Sequence, residues 1–288
     1  MKLGWEKDKT LRRGALSGLS PTLYGGVVVP RYGVLTISHG SRSKEWVELV
    51  DGAVDGMREP DGVPVYSSFL ELVDGRLIQD GIDALEGQGV TDLLVIPLFL
   101  SSGSTHLDEI GYALGVTASP KLETDLLPFR RRARVHWGAP IDGCPTIARI
   151  VCEHIRDLSL DPANEAVLVV GHGSDKPGFR ERWRDGLDRL AEQVRELGGY
   201  AVAEGAMLLP DEAPGVLARW RAEWPERAVI VAPFFLSGGY FSQQVVPQRL
   251  TGYEYRYNGR ALLPHPLLSR WMEESVALML EAAQAAER

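Results

Sequence analysis

Short apolar runs alternate with amphipathic stretches along most of the chain, and this pattern predicts alternating strands and helices. In the first half it predicts strands at residues 34–38, 64–68, 91–98 and 134–137 and helices at residues 44–57, 75–88, 105–114 and 146–158. In the second half it predicts strands at residues 166–171, 200–204, 228–234 and near 260–263, and helices at residues 179–197, 215–224, near 241–250 and from 269. Elements in this order favour an α/β fold of parallel sheets with right-handed crossovers.

Two motifs occur twice at nearly the same spacing. A buried strand runs into HGS at residues 39–41 and again at residues 172–174, and PLFLSSG at 97–103 returns as PFFLSGG at 233–239. We therefore expect two tandem, similar domains, each a parallel sheet flanked by helices, with a ligand cleft between them. The predicted boundaries are an N-terminal extension at residues 1–31, a first domain at 32–160 and a second domain at 161–288.

The composition limits the class of protein. A formal net charge of −8 argues against nucleic-acid binding, although it does not exclude an anionic small molecule. No apolar run reaches the ~20 residues of a membrane span, and the polar, basic start does not resemble a signal peptide, so we expect a cytoplasmic protein. Cys144 and Cys152 are expected to be reduced thiols, and no Cys-x-x-Cys pattern indicates a thiolate metal site.

The differences between the two halves indicate the chemistry. The first half has His39, Glu71 and His106, each at or after the end of a strand, where side chains of neighbouring parallel strands converge. At the positions that we matched to these three, the second half has His172, Leu208 and Ser242. Two imidazoles and one carboxylate suit Fe²⁺, Co²⁺ or Ni²⁺ better than Mg²⁺, and histidine also accepts protons near neutral pH.

Each of these residues also has a structural interpretation. The His39 turn can be a simple strand end, His106 can be a partly exposed residue at a helix start, and Glu71 can pair with a buried arginine. The three occur together in one half and are incomplete in the other, which favours a functional site. By the same comparison, His172 is expected to belong to the scaffold.

Three segments carry a family resemblance: HGSR at residues 39–42, FLE at 69–71 and VIPLFLSSGSTH at 95–106. Together they resemble the sirohydrochlorin chelatases, the class II cobalt- and ferrochelatase family. The resemblance implies a two-domain enzyme that inserts Co²⁺ or Fe²⁺ into sirohydrochlorin in a cleft, without ATP or another cofactor. Ni²⁺ is a lesser possibility, since it suits the same His-rich site. It also implies that His39 and His106 handle the metal as transient ligands and bases, with Glu71 as ligand or proton acceptor.

A tetrapyrrole polycarboxylate needs hydrogen-bond donors and an apolar surface. The candidate substrate-binding residues are Ser41, Arg42, Ser101, Ser102, Gly103, Ser104 and Thr105. The run Arg130–Arg134 either gathers substrate carboxylates or forms a solvated loop. The aromatic residues Phe234, Phe235, Tyr240 and Phe241 either form an apolar wall for the macrocycle or pack a buried strand end. His136, His154 and His265 are expected to lie on surfaces or strand edges without clustered partners.

Two rival functions stay open. The same fold can serve as a non-catalytic carrier of a tetrapyrrole or metal, which would bind the pigment without converting it. A His-dependent phosphotransferase would use the His39 turn, but that chemistry needs a phosphate-binding cluster and only Arg42 is adjacent. The physiological metal is also open, as is the choice between a monomer and a homodimer, since two similar units in one chain can make a monomer sufficient.

Overall fold

The computed structural model describes residues 23–24, 27–28, 30–58 and 62–286. Strands β1 (Leu23–Tyr24) and β2 (Val27–Val28) pair antiparallel, while the remainder of the predicted extension up to residue 29 lies outside the described residues. The first half then contains β3 (Tyr32–Ser38), α1 (Lys44–Asp55), β4 (Val65–Phe69), α2 (Ile78–Gly87), β5 (Asp92–Pro97), α3 (Thr105–Ala113), β6 (Arg134–Trp137) and α4 (Pro145–Ile155). Short 3₁₀ helices at Arg156–Leu158 and Pro162–Asn164 lead into the second half.

The second half repeats the alternation. It contains β7 (Glu165–Gly173), α5 (Phe179–Gly198), β8 (Val202–Leu209), α6 (Ala213–Glu223), β9 (Ala228–Phe234), a π-helix (Phe241–Val245), α7 (Val246–Arg249) and α8 (Pro266–Ala286). No helix in the described part of the chain is long and apolar enough to cross a membrane.

The two larger sheets, one in each half, are parallel, which confirms the predicted fold class. The first sheet has the order β4-β3-β5-β6, and the second has the order β8-β7-β9 among the described residues. Helices cover both faces of each sheet, so β3, β5, β7 and β9 are almost wholly buried, as their continuous apolar sequences predict. The carboxyl ends of the strands lie at one edge of each sheet, as parallel strands require.

The strand predicted near residues 260–263 does not form. Arg256 forms an isolated bridge with Ile230, and further along Leu262 N and Leu263 N donate to the carbonyls of Phe235 and Leu236, just after β9, at 2.9 and 2.8 Å. Gly259 then turns with a φ of +69°, and the Asn258 side chain donates to the carbonyl of His154 on α4. This turn interrupts the pairing between Arg256 and Leu262, so no continuous ladder forms.

The strand predicted at residues 200–204 corresponds to β8 (Val202–Leu209), which starts later and is longer than predicted. Helix α5 ends at Gly198 and is capped by Gly199, whose φ of +69° turns the chain towards Tyr200. Gly205 lies inside β8 where a Cβ would come within 2.7 Å of the Cβ of Leu187 on α5. The glycine therefore marks close packing of helix on strand, although in the sequence it resembled a strand end.

The closing helices of the two halves pack across the molecule. Helix α8, from the end of the second half, packs on α1, α4, β5 and β6 of the first half. Helix α4 packs against α5 and β9. The Ser269 hydroxyl at the start of α8 donates to the carbonyl of Ala53 at 2.7 Å. One continuous apolar core therefore joins the two halves and fixes them relative to each other.

Candidate active site

The turn after β3 places His39 beside Glu71. The β3–β4 ladder continues past the strand ends, since Glu71 N donates to His39 O at 3.1 Å. Gly40 has a φ of +98°, and a Cβ there would lie 1.9 Å from Glu71 O. Only glycine allows the segment after β3 to come this close to the segment after β4. As a result, His39 Nε2 lies 3.6 Å from Glu71 Oε1.

His106 lies in the first turn of α3 and faces His39. The two imidazoles are perpendicular, with ring centroids 4.7 Å apart, and the Phe99 ring lies 6.2 Å from that of His106. His106 Nδ1 lies 2.7 Å from Glu109 Oε1, and Glu109 Oε2 accepts a hydrogen bond from Thr124 Oγ1 at 2.8 Å. A carboxylate thus orients His106 and leaves Nε2 for a ligand or proton.

Glu109, the partner of His106, is not among the residues that the sequence motifs indicate. It lies three residues after His106 on the same helix, a spacing that makes two side chains neighbours. This spacing could have identified Glu109 once a helix was predicted from residue 105.

The geometry around His39 suits a cation. His39 Nδ1 lies 3.2 Å from the carbonyl oxygen of Gly40, which can only accept, so a neutral His39 carries its proton on Nδ1. Nε2 and Glu71 Oε1 then both present lone pairs, and one divalent ion with bonds of ~2.1 Å to each can bridge them. Within the described residues, however, no three His, Cys, Asp or Glu side chains form a preformed metal cluster. The predicted ligands instead lie next to each other in pairs, His39 with Glu71 and His39 with His106.

A cleft of about 520 Å³ lies between the two histidines and the second half. From the first half it is lined by His39, Gly40, Ser41, Trp46, Leu98, Phe99, Leu100, Gly103, Ser104, Thr105 and His106. From the second half it is lined by His172, Gly173, Ser174, Asp175, Lys176, Trp183, Leu209, Phe235, Leu236 and Phe241. Trp46, Trp183 and Lys176 had not been singled out from the sequence, because no motif surrounds them.

The predicted substrate-binding residues divide into two groups. Ser41, Gly103, Ser104 and Thr105 line the cleft. Ser101 is instead buried, and its hydroxyl accepts from Gly103 N at 2.9 Å. Ser102 N donates to Asp142 Oδ1 at 2.9 Å. Ser101 and Ser102 therefore shape the loop and do not belong to the cleft lining. Arg42 is exposed beside Ser41 but is not part of that lining either.

The arginine run lies at the opposite edge of the sheet from the cleft. Arg134 begins β6, so the run Arg130–Arg134 precedes the amino end of that strand. Arg132 Nε lies 3.0 Å from Glu86 Oε2. Burial raises the pKa of Glu86, but hydrogen bonds from the backbone N–H groups of Ala133 and Arg132 and from the Arg132 side chain bring it below its ordinary value. The run is a locally paired surface loop away from the cleft lining, which favours the interpretation as a solvated loop.

The second half carries an apolar counterpart of the histidine site. The matches predicted for Glu71 and His106 are each wrong by one residue. Ser38, just before His39, pairs with Phe69, and Gly171, just before His172, pairs with Met207. The residue two positions later is Glu71 in the first half and Leu209 in the second. Leu209, not Leu208, therefore corresponds to Glu71. A Cβ on Gly173 would come within 2.4 Å of Leu209 O, repeating the contact of Gly40 with Glu71.

Phe241, not Ser242, occupies the place of His106. Its ring stands perpendicular to that of His172 with centroids 5.0 Å apart, and it stacks on Phe235 at 5.8 Å. The Ser242 side chain is buried, and its hydroxyl accepts from Gly239 N at 3.1 Å. His106 lies nine positions after Pro97, whereas Phe241 lies eight positions after Pro233, so the loop after β9 is one residue shorter than the loop after β5. The π-helical turn Phe241–Val245 then begins the helix of the second half.

The remaining histidines have partners, contrary to expectation. His136 Nε2 lies 2.9 Å from Asp92 Oδ1. The rings of His154 and His265 lie 5.2 Å apart, and His265 Nε2 lies 3.2 Å from Glu153 Oε2. Burial, together with His265 and Arg260, lowers the pKa of His154. These histidines lie outside the cleft lining, and His154 and His265 contribute to the contact between the two halves.

Two parallel-sheet units that enclose a histidine-lined cleft define an α/β protein of the chelatase type. The family model CbiX matches residues 33–158 and again residues 166–278, so both halves and most of the chain are covered. The chain belongs to the CbiX family.

The chain is similar to several curated sirohydrochlorin chelatases. It is 27% identical over 162 residues to the sirohydrochlorin ferrochelatase of Bacillus subtilis, which covers 56% of this chain and 58% of that protein. It is 25% identical over 217 residues to the ferrochelatase of Priestia megaterium, covering 74% of this chain and 76% of that protein. The sirohydrochlorin cobaltochelatase of Methanothermobacter thermautotrophicus is 32% identical over 87 residues, covering 30% of this chain and 60% of that protein.

A solved structure shares the fold. The structure of SirB from Bacillus subtilis with Fe³⁺ superposes with a TM-score of 0.67 and 19% identity, covering 88% of this chain and 98% of that one. At this identity the likeness establishes the arrangement of the two halves and not the chemistry.

Proposed function

We propose that this protein inserts Co²⁺ or Fe²⁺ into sirohydrochlorin without ATP. The observation that carries the proposal is the perpendicular pair of His39 and His106, 4.7 Å apart, on one wall of a cleft that the second half completes. The similar ferrochelatases and cobaltochelatase support the same substrate. The roles proposed below for Glu71 and Glu109 depend on their contacts with these two histidines.

Metallation exchanges the water ligands of the ion for four pyrrole nitrogens and releases two N–H protons. In this proposal His39 Nε2 and Glu71 receive the metal as transient ligands. Pairs of donors hold an ion more weakly than a closed cage of four, which favours its release to the macrocycle. His106, oriented by Glu109, accepts a pyrrole proton at Nε2, and the Glu71 carboxylate accepts the second proton as the metal leaves it.

The substrate carboxylates need partners around the rim of the cleft. Ser41, Ser104 and Thr105 offer hydroxyl donors on the first half. Lys176 offers a positive charge on the second half, and its nearest acidic partner, Asp175, lies 3.7 Å away with both side chains largely exposed. We propose that these four residues bind the carboxylates.

The test is an anaerobic assay of the full chain with sirohydrochlorin and either Co²⁺ or Fe²⁺, followed by visible absorbance. His106→Ala should abolish conversion while far-UV circular dichroism stays unchanged. His154→Gln, a histidine substitution outside the cleft, is the control and should retain turnover. Normal turnover by His106→Ala would refute the site, and pigment binding by the wild type without spectral conversion would identify a carrier.

The metal preference is decided by competition. Both ions suit a site of imidazole and carboxylate, so affinity alone need not select between them. Equal concentrations of Fe²⁺ and Co²⁺ should be offered with limiting sirohydrochlorin under anaerobic conditions, and the two products distinguished by their spectra. The favoured product assigns the enzyme to iron or cobalt insertion.

A further inference from the structure

The cleft wall of the second half exposes large apolar side chains where the first half carries its polar site. Phe241 takes the place of His106, and Leu209 takes the place of Glu71. Both line the cleft, and the Phe241 side chain is 39% exposed. By contrast, Phe234, which only packs the core, is 1% exposed. Exposed apolar groups in a cleft usually mark a surface that a ligand covers.

The Phe241 ring is held in place before any ligand arrives. One face stacks on Phe235 at an interplanar angle of 8°, and the ring meets His172 at 80°. The Tyr257 hydroxyl donates to the carbonyl of Ser242 at 2.6 Å, which supports the π-helical turn that positions the ring. π-helical turns of this kind occur frequently at functional sites. A ring fixed in this way loses little freedom when a flat ligand stacks on it.

We propose that Phe241 stacks on the tetrapyrrole face that is turned away from His39 and His106, and thereby determines which face receives the metal. This inference rests on the proposed chelatase function. Neither Phe241 nor Leu209 can ligate a metal or accept a proton, so the second half holds the macrocycle while the first half does the chemistry. The two-fold likeness of the halves would otherwise allow two equivalent orientations of the pigment, and the apolar wall leaves one.

The experiment measures pigment binding and metal handling separately. Sirohydrochlorin is titrated into the full chain without metal, and steady-state Co²⁺ insertion gives kcat and KM. Phe241→Ala should raise both the Kd and the KM for sirohydrochlorin about tenfold, the effect expected for loss of one aromatic contact of about 1.4 kcal/mol. The kcat should stay near that of the wild type, because the groups that bind metal and accept protons are retained.

Two further variants and one control separate this role from a structural one. Phe241→Trp keeps an aromatic surface and should restore pigment binding. Leu160→Ala removes an apolar side chain that is 80% exposed outside the cleft lining, and it should change nothing. The affinity for Co²⁺ alone should be the same in Phe241→Ala as in the wild type, whereas His39→Ala should weaken it.

The outcomes distinguish this inference from the function on which it rests. Wild-type protein that neither binds nor metallates sirohydrochlorin would refute the chelatase proposal itself. Wild-type turnover together with unchanged Kd and KM in Phe241→Ala would overturn the stacking role alone. Poor binding by both Phe241→Ala and Phe241→Trp, with unchanged thermal unfolding, would also overturn it, since an aromatic surface would then not be what the pigment requires.

Discussion

Glu109 Oε1 lies 2.7 Å from His106 Nδ1, and the other oxygen of the same carboxylate accepts a hydrogen bond from Thr124. The Glu109 side chain is the less exposed of the pair and sits one helical turn behind the imidazole. Contacts of this kind fix the orientation and the tautomer of a histidine that works at its other nitrogen. Glu109 is therefore a positioning residue for His106.

Replacing Glu109 tests this relationship. Glu109→Ala should lower kcat for metal insertion about 10- to 100-fold, the usual effect of removing a carboxylate behind a working histidine. The KM for sirohydrochlorin should stay constant because Glu109 is not part of the cleft lining. Glu109→Gln retains an oxygen that can accept from Nδ1 and should recover part of the rate. An equal loss in kcat and in pigment affinity would indicate general disruption of α3 instead.

Gly40 provides a second test, which concerns the close contact between the turn after β3 and the backbone of Glu71. Alanine at Gly40 would place its Cβ 1.9 Å from Glu71 O at a φ of +98°, so either the turn or Glu71 must move. Gly40→Ala should therefore destabilise the protein by about 1–3 kcal/mol and abolish metal insertion. Gly52→Ala is the matched control, because Gly52 lies within α1 with no atom within 4 Å of the added methyl. It should stabilise the fold by about 0.5–1 kcal/mol and leave activity unchanged. Urea unfolding measures both.

The repeated strand-to-histidine pattern was sufficient to predict the fold and to place His39 and His106 at one edge of the first sheet. Apolar strand residues followed by His39 and His172 identify the carboxyl edge of each sheet, because parallel strands end at one side. His39 and His106 could be matched to one wall of a cleft because both follow such strands. These predictions depend only on the direction of the strands and not on exact counts of residues.

The parts that escaped prediction depend on exact counts or on long-range packing. The counterpart of His106 is Phe241 and not Ser242, because the loop between Pro233 and Phe241 is one residue shorter than the loop between Pro97 and His106. The repeated motif does not reveal the shorter loop, since PLFLSSG and PFFLSGG have the same length. In the same way, the apolar face of α8 shows that the helix is buried but not which sheet it covers, so its packing on the first half could not be foreseen.

The last helix of each half packs against the other half, α8 on the first and α4 on the second. We therefore expect the two halves to unfold together. Trp271 on α8 is buried in the core that joins them. Trp271→Ala should cost about 3–5 kcal/mol, as for other large buried aromatic residues. Leu278→Ala, on the same helix but 66% exposed, should cost less than about 0.5 kcal/mol. Chemical unfolding followed by circular dichroism and by tryptophan fluorescence should give coincident single transitions. Two separate transitions in the wild type would contradict the shared core.

Glu165, at the start of β7, predicts an acid-sensitive contact in the second half. Its side chain is 3% exposed and lies 2.6 Å from Arg256 Nη1. Burial raises the pKa of Glu165, but hydrogen bonds from Ser159, Leu160 and Arg256 bring it below the ordinary value of 4.5. Since the folded pKa lies below the unfolded one, the stabilisation is complete above the unfolded pKa and declines as the pH falls towards the folded pKa.

Glu165→Gln should therefore destabilise the protein most at neutral pH. The expected cost is about 3 kcal/mol at pH 7, because the substitution leaves Arg256 without its buried partner. The difference from wild type should narrow as the pH falls from about 5 to 3 and the wild-type carboxylate takes up a proton. Glu254→Gln removes a carboxylate that is 94% exposed and 3.7 Å from Arg221, and it should leave the pH profile of stability unchanged. Urea unfolding across this pH range measures the effect, and a constant difference between Glu165→Gln and wild type would show that the Glu165 carboxylate does not titrate with folding.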